Sequence, residues 1–81
     1  MTQGNKVSII GAGHIGESCA FLLALKELTK EIVMVDIIDN LPQGKAIDMM
    51  QAAPLLGFDT KINGSNNFAD IKDSDIVIMT A

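Results

Sequence analysis

Three glycines spaced G-x-G-x-x-G (Gly11, Gly13, Gly16) stand between an apolar run, Val7-Ser8-Ile9-Ile10, and a stretch of helical periodicity. Few folds accommodate that pattern, because a strand must turn sharply into a helix. Gly11 permits the tight turn, and Gly13 lets backbone N–H groups approach a ligand with no Cβ in the way. Gly16 lets the helix lie close to the strand. The first N–H groups of such a helix lack intrahelical partners and sit at its positive end, a setting suited to a phosphate. Glycine-rich turns also arise for purely structural reasons, so the context has to discriminate. A second buried-strand pattern, Ile32-Val33-Met34-Val35, ends on Asp36, 20 residues beyond Gly16. Strand, glycine turn, helix, strand and acid together make a dinucleotide fingerprint. A carboxylate at Asp36 accepts hydrogen bonds from both ribose hydroxyls and repels a 2′-phosphate, which points to NAD over NADP.

The rest of the chain extends this pattern. Strands are expected over 6–10 and 32–36, the first buried on both faces as in a parallel sheet. The intervening helix is expected over 14–28, with Ile15, Cys19, Leu22 and Leu23 as a core-facing stripe. Gly16, Ala20 and Ala24 form an adjacent small-residue face, and the apolar run 20–25 asks for a second partner. Asp39-Asn40-Leu41-Pro42 is a helix-start signal, and this second helix is expected to stop where Pro54 stands. Its stripe is Ala46, Met49, Met50 and Ala53, with Gln43, Lys45, Asp48 and Gln51 as a solvated or lightly paired face. Leu55-Leu56-Gly57-Phe58-Asp59 reads as a loop with apolar anchors, and 60–64 as a weak strand near the sheet edge. Ser65-Asn66-Asn67 is a turn, 68–71 at most one helical turn, and 75–80 a strong buried strand. Residues 1–5 read as a frayed lead-in. Ile37 has two open readings, a core residue or an apolar wall for an adenine ring.

The expected fold is therefore α/β, the first half of a Rossmann-type doubly wound parallel sheet. The order is β-α-β-α-β-β and the spatial strand order 3-2-1-4, with the whole chain (1–81) as one dinucleotide-binding segment. The glycine turn and the end of the last strand (Thr80, Ala81) flank the crevice where such sheets bind ligands.

Composition excludes several classes. The 81 residues carry a net charge of −4, and the six basic residues are scattered lysines with no arginine, so no basic stripe awaits nucleic acid or an anionic membrane. Three phenylalanines are the only aromatics, which argues against base-stacking recognition. Cys19 is the single cysteine, and no Cys/His cluster has metal-ligand spacing. Neither a signal peptide nor a membrane span is legible, so a reducing, cytoplasmic setting is expected. Yet 48% of residues are hydrophobic, rich for so small a unit, and part of that surface is expected to meet other protein.

With these residues assembled, the chain resembles the amino-terminal part of the lactate/malate dehydrogenase family. The matches are Ile9-Ile10-Gly11-Ala12-Gly13-His14-Ile15-Gly16, Val35-Asp36-Ile37, Pro42-Gln43-Gly44-Lys45-Ala46-Ile47-Asp48 and Asp75-Ile76-Val77-Ile78-Met79-Thr80-Ala81. The pentapeptide from Pro42 to Ala46, followed by Ala53-Pro54 and Gly57-Phe58-Asp59, is most similar to the malate branch that shares the lactate dehydrogenase fold. The resemblance implies that Gly11, Ala12, Gly13, His14, Ile15 and Gly16 cradle the pyrophosphate of NAD. It further implies that Asp36 binds the adenosine ribose beside Ile37, and that Thr80 and Ala81 line the crevice. It implies hydride transfer between NAD and a 2-hydroxy/2-oxo dicarboxylic acid such as malate, in a homo-oligomer with the helix around 46–53 near a subunit interface. The family's substrate-gripping arginines and histidine–aspartate pair have no counterpart here, so the chain alone is expected to be inert. His14, at a helix N-terminus that disfavours a cation, is expected to contribute its backbone N–H, and Cys19 to be a small apolar residue. A non-catalytic nucleotide-sensing module would use the same glycines and acid.

Overall fold

A computed structural model describes residues 5–80; residues 1–4, which include most of the expected lead-in, and Ala81 lie outside it. Four parallel strands, β1 (Lys6–Ile10), β2 (Glu31–Val35), β3 (Lys61–Ser65) and β4 (Ile76–Met79), line up in the order β3-β2-β1-β4. Helix α1 (His14–Leu25) joins β1 to β2, and α2 (Leu41–Leu56) joins β2 to β3. A single 3-10 turn, Phe68–Ile71, precedes β4. Register pairs Val7 with Ile32 and Ile76, and Ile9 with Met34 and Ile78. Because strand side chains alternate between faces, Val7, Ile9, Ile32, Met34 and Ile62 share one face. They form a single core cluster with Ala20 and Ala24 of α1 and Ala46, Met49 and Ala53 of α2.

The buried hydroxyls of Ser8, Thr29 and Thr60 are paired, as burial requires. The Ser8 and Ser74 hydroxyls share a hydrogen bond of 2.5 Å. Thr29 Oγ1 donates to the Asn5 carbonyl and Thr60 Oγ1 to the Thr29 carbonyl. The Lys6 ammonium donates to the carbonyls of Asp70 and Lys72, tying the 3-10 turn to the start of β1.

Several expectations need correction. In α1 the small face wins the core: Gly16, Ala20 and Ala24 are buried, while Ile15 and Leu22 are 68% and 57% exposed. A helix that starts in a tight glycine turn has to lie close to the sheet, and only small residues fit between. Cys19 and Leu23 pack at the margin of the core. The same helix ends at Leu25, not 28, because Glu27 turns left-handed (φ 50°) and the Leu28 N–H reaches back to the Leu23 carbonyl.

Pro54 lies inside α2, which runs on to Leu56 and ends on Gly57 in a left-handed conformation (φ 79°). A proline in the last turns forfeits one hydrogen bond without a following helix to disrupt. At the other end Asn40 occupies the cap position with a left-handed backbone and makes no side-chain cap bond. Of the expected loop anchors Phe58 alone is buried, edge-on to Phe21 at 6.4 Å between ring centroids, whereas Leu55 and Leu56 are exposed.

β4 is not buried. Ile76, Val77 and Met79 are 58%, 44% and 72% exposed, because among the described residues only β1 pairs with this strand and no helix covers it. On the face of α2 expected to be solvated or lightly paired, Gln43 is partly buried and bonds to Asn66, and Lys45 pairs with Glu17 of α1 at 2.9 Å. Ile37 and Ile38 are exposed, which overturns the core reading of Ile37.

Candidate cofactor site

The strand order reverses its direction of growth between β1 and β4, and a cleft of about 370 Å³ opens at the carboxyl ends of these two strands. Its lining is Gly11, Gly13, His14, Ile15, Gly16, Asp36 and Thr80. Two hollows of about 480 Å³ lie elsewhere, one on α2 and β3 and one at the far end of the strands around Lys30 and Lys61. Only the smaller cleft combines a helix N-terminus, a carboxylate and the crevice position.

Each glycine has its own reason. Gly11 has a positive φ of 110°, which side chains other than glycine's rarely tolerate, and its N–H donates to the Val35 carbonyl. A Cβ on Gly16 would stand 1.9 Å from the Gly11 carbonyl oxygen. At Gly13 a Cβ would meet no protein atom within 4 Å and would project into open space. The first bond of α1 runs from the Glu17 N–H to the Gly13 carbonyl, so the N–H groups of His14, Ile15 and Gly16 precede it. Gly13 has no side chain to cap them. Those free donors and the open flank at Gly13 fit the pyrophosphate of a dinucleotide.

Asp36 follows β2 directly and faces the glycine turn. One carboxylate oxygen accepts the Ala12 N–H at 2.8 Å, and the other accepts the Ile38 N–H at 3.1 Å. Each oxygen keeps a lone pair for a further donor. These backbone bonds, that from Ala12 foremost, hold the carboxyl below its ordinary pKa against a smaller opposing effect of burial. The folded chain thus prefers the ionised form, and the resulting stability is complete above the unfolded-state value of about 4 and is lost as pH falls through the lower folded value. Thermal melts of the parent and Asp36→Asn should therefore differ by a constant amount from pH 5 to 8 and converge only below about pH 4.

Of the expected site residues, the cleft brings together Gly11, Gly13, His14, Ile15, Gly16, Asp36 and Thr80. Ala12 is fully buried behind them, its N–H spent on Asp36. Ile37 is 77% exposed beside the acid but outside the cleft lining, and Ala81 lies beyond the described residues. The Thr80 hydroxyl donates to the carbonyls of Ile10 and Gly11 at 3.1 and 3.3 Å, locking the end of β4 to the glycine turn. Sequence reasoning missed Asn66, whose amide donates to the carbonyls of Asp36 and Ile38. Its turn context gave no hint of that reach. Among the described residues no group of three or more His, Cys, Asp or Glu is arranged to hold a metal, and no helix is long and apolar enough to cross a membrane.

A parallel 3-2-1-4 sheet whose first strand turns through glycines into a helix, opposite an acid on the second strand, defines a Rossmann-type dinucleotide-binding domain. A family model described as lactate/malate dehydrogenase, NAD binding domain, matches residues 5–81. The chain belongs to the lactate/malate dehydrogenase family and corresponds to its NAD-binding domain. Malate dehydrogenase of Chlorobium phaeovibrioides is 51% identical over 76 residues, which are 94% of this chain and 25% of that protein. The solved malate dehydrogenase of Salinibacter ruber is 49% identical with a TM-score of 0.91, covering 94% of this chain and 25% of its own. The Cryptosporidium parvum lactate dehydrogenase, solved with lactic acid and nicotinamide adenine dinucleotide, is 38% identical with a TM-score of 0.92. That match covers all of this chain and 25% of the solved one. The chain thus spans about a quarter of the length of the relatives it matches.

Proposed function

We propose that this chain forms the adenosine and pyrophosphate half of the cofactor site of an NAD-dependent malate dehydrogenase. The observation that carries the reading is the cleft itself, where free N–H groups at the start of α1 and an ionised Asp36 face one opening. The backbone at Gly11, Gly13, His14, Ile15 and Gly16 grips the pyrophosphate, with Ala12 holding the acid in place from behind. Asp36 accepts the ribose hydroxyls, Ile37 lies against the adenine, and Thr80 and Ala81 close the crevice wall. Bound NAD supplies the hydride acceptor for a 2-hydroxy acid, and malate is favoured over lactate by the names of the relatives with the highest identities here. The chain has one histidine and no arginine, so proton transfer and grip on the substrate carboxylates fall to the rest of the protein. Exposed Leu22 and Leu25 on α1 and Ile47 on α2 support a homo-oligomer, and a lone cysteine suits the cytoplasm.

Gly13→Val tests the reading without disturbing the fold. Its backbone is extended (φ −76°, ψ −164°), and an added Cβ meets no protein atom within 4 Å. The melting temperature should stay within about 2 °C of the parent, since surface substitutions shift stability little. NAD affinity measured by calorimetry should fall about tenfold or more, roughly 1.4 kcal/mol, as the side chain blocks the approach of the phosphates. Unchanged affinity would place the nucleotide somewhere else.

A further inference from the structure

We infer that Asn66 is a positioning residue for the adenosine ribose and sets the preference for an unphosphorylated ribose over a 2′-phosphorylated one. The inference rests on the reading of Asp36 proposed above. Asn66 follows β3, and its Nδ2 donates to the carbonyl of Asp36 at 2.8 Å and to that of Ile38 at 2.9 Å. The Asp36 N–H donates to the Ser65 carbonyl at 3.2 Å, and the Asp36 carboxylate closes the same turn by accepting the Ile38 N–H. One amide therefore pins both ends of the three-residue turn that carries the acid.

The orientation of that amide is dictated by its partners. Only an NH₂ can face two carbonyls, so the Asn66 oxygen points the other way, where Gln43 Nε2 donates to it at 2.8 Å. Gln43 Oε1 is then left buried without a partner. An unpaired buried acceptor opposes folding, and a methionine would fill the space without one. Packing is therefore a poor account of Gln43, whereas supplying a donor to Asn66 explains it. A carboxylate discriminates against a 2′-phosphate by repulsion that weakens with distance, so its selectivity depends on being held. A turn released from Asn66 lets the carboxylate swing away, and the phosphate is then tolerated.

The test measures NAD and NADP affinities by calorimetry on the purified protein at its natural length, with thermal melts alongside. Asn66→Ala should weaken NAD about tenfold while leaving NADP nearly unchanged, shrinking the NAD:NADP preference by the same factor. Gln43→Met should shrink the preference in the same direction by about threefold, with a melting temperature equal to or above the parent's. A purely structural role would lower the melting temperature and leave the preference intact. If both variants keep the parent's preference, or if Asn66→Ala does not fold and Gln43→Met keeps it, the inference is overturned. Asp36→Ala in the same assay separates the two levels: its loss of NAD affinity upholds the site when Asn66 fails, and its silence removes the site reading itself.

Discussion

Gly16→Ala is expected to cost the chain a substantial part of its margin of stability. The new Cβ would lie 1.9 Å from the carbonyl oxygen of Gly11 and 2.9 Å from its carbonyl carbon, with Thr80 Oγ1 at 3.2 Å. The first two are backbone atoms and cannot rotate aside. Gly11 is itself held, since its N–H donates to the Val35 carbonyl and its carbonyl accepts from Thr80. Relief therefore requires lifting the first turn of α1 from the sheet, at the point where α1, the glycine turn and the end of β4 meet. Overpacking of a closed site costs about 1–3 kcal/mol or more, against about 5–15 kcal/mol for a whole domain. Circular dichroism should record a fall in melting temperature of about 4–24 °C, given about 4–8 °C per kcal/mol for a unit of this size. An unchanged melt would mean that α1 does not approach the glycine turn this closely. Gly13→Val makes the pair instructive, because two glycines three residues apart in one motif should separate stability from binding.

Asp36→Ala carries the largest expected change in affinity. Both carboxylate oxygens are already oriented by backbone donors, so the ribose hydroxyls meet a fixed acceptor pair. Two hydrogen bonds to a charged group contribute about 1.5–3 kcal/mol each. Allowing for water that replaces them, NAD should weaken about 100-fold, or roughly 2.7 kcal/mol. NADP should lose little or even gain, because the repulsion at its 2′-phosphate disappears. The alanine also leaves the buried Ala12 N–H without its acceptor, so a lower melting temperature accompanies the loss. The NAD:NADP ratio, which a general loosening would not move selectively, is the decisive readout. A ratio equal to the parent's would overturn the assignment of the acid to the ribose.

The elements that sequence reading placed well are those governed by short-range rules. The bounds of β1 follow from a run of β-branched residues stopped by Gly11, and β2 follows from the same chemistry one residue earlier than expected. Helix ends were harder, because they depend on single backbone conformations. Glu27 adopts a left-handed turn that nothing in its residue type announces, and Gly57 outweighs Pro54 in ending α2. The faces of α1 were misjudged for a different reason. Hydrophobicity ranks Ile15 and Leu22 above Ala20 and Ala24, but the closeness of helix and sheet decides which side chains fit.

From the sequence alone came the alternation of strands and helices, the glycine turn, and an acid closing the second strand. Each of these is written within some thirty consecutive residues, where backbone freedom, side-chain period and spacing act locally. Only the tertiary structure decided that Ala12 and Ile38 would hold the carboxylate, that Thr80 would lock onto Ile10 and Gly11, and that Asn66 would clamp the Asp36 turn. Apart from the local bond from Ile38, those bonds join residues brought together by the pairing of β2 with β1 and β3 and of β4 with β1. Hydrogen-bond geometry is sensitive to tenths of an ångström, and no periodicity along one chain carries that information.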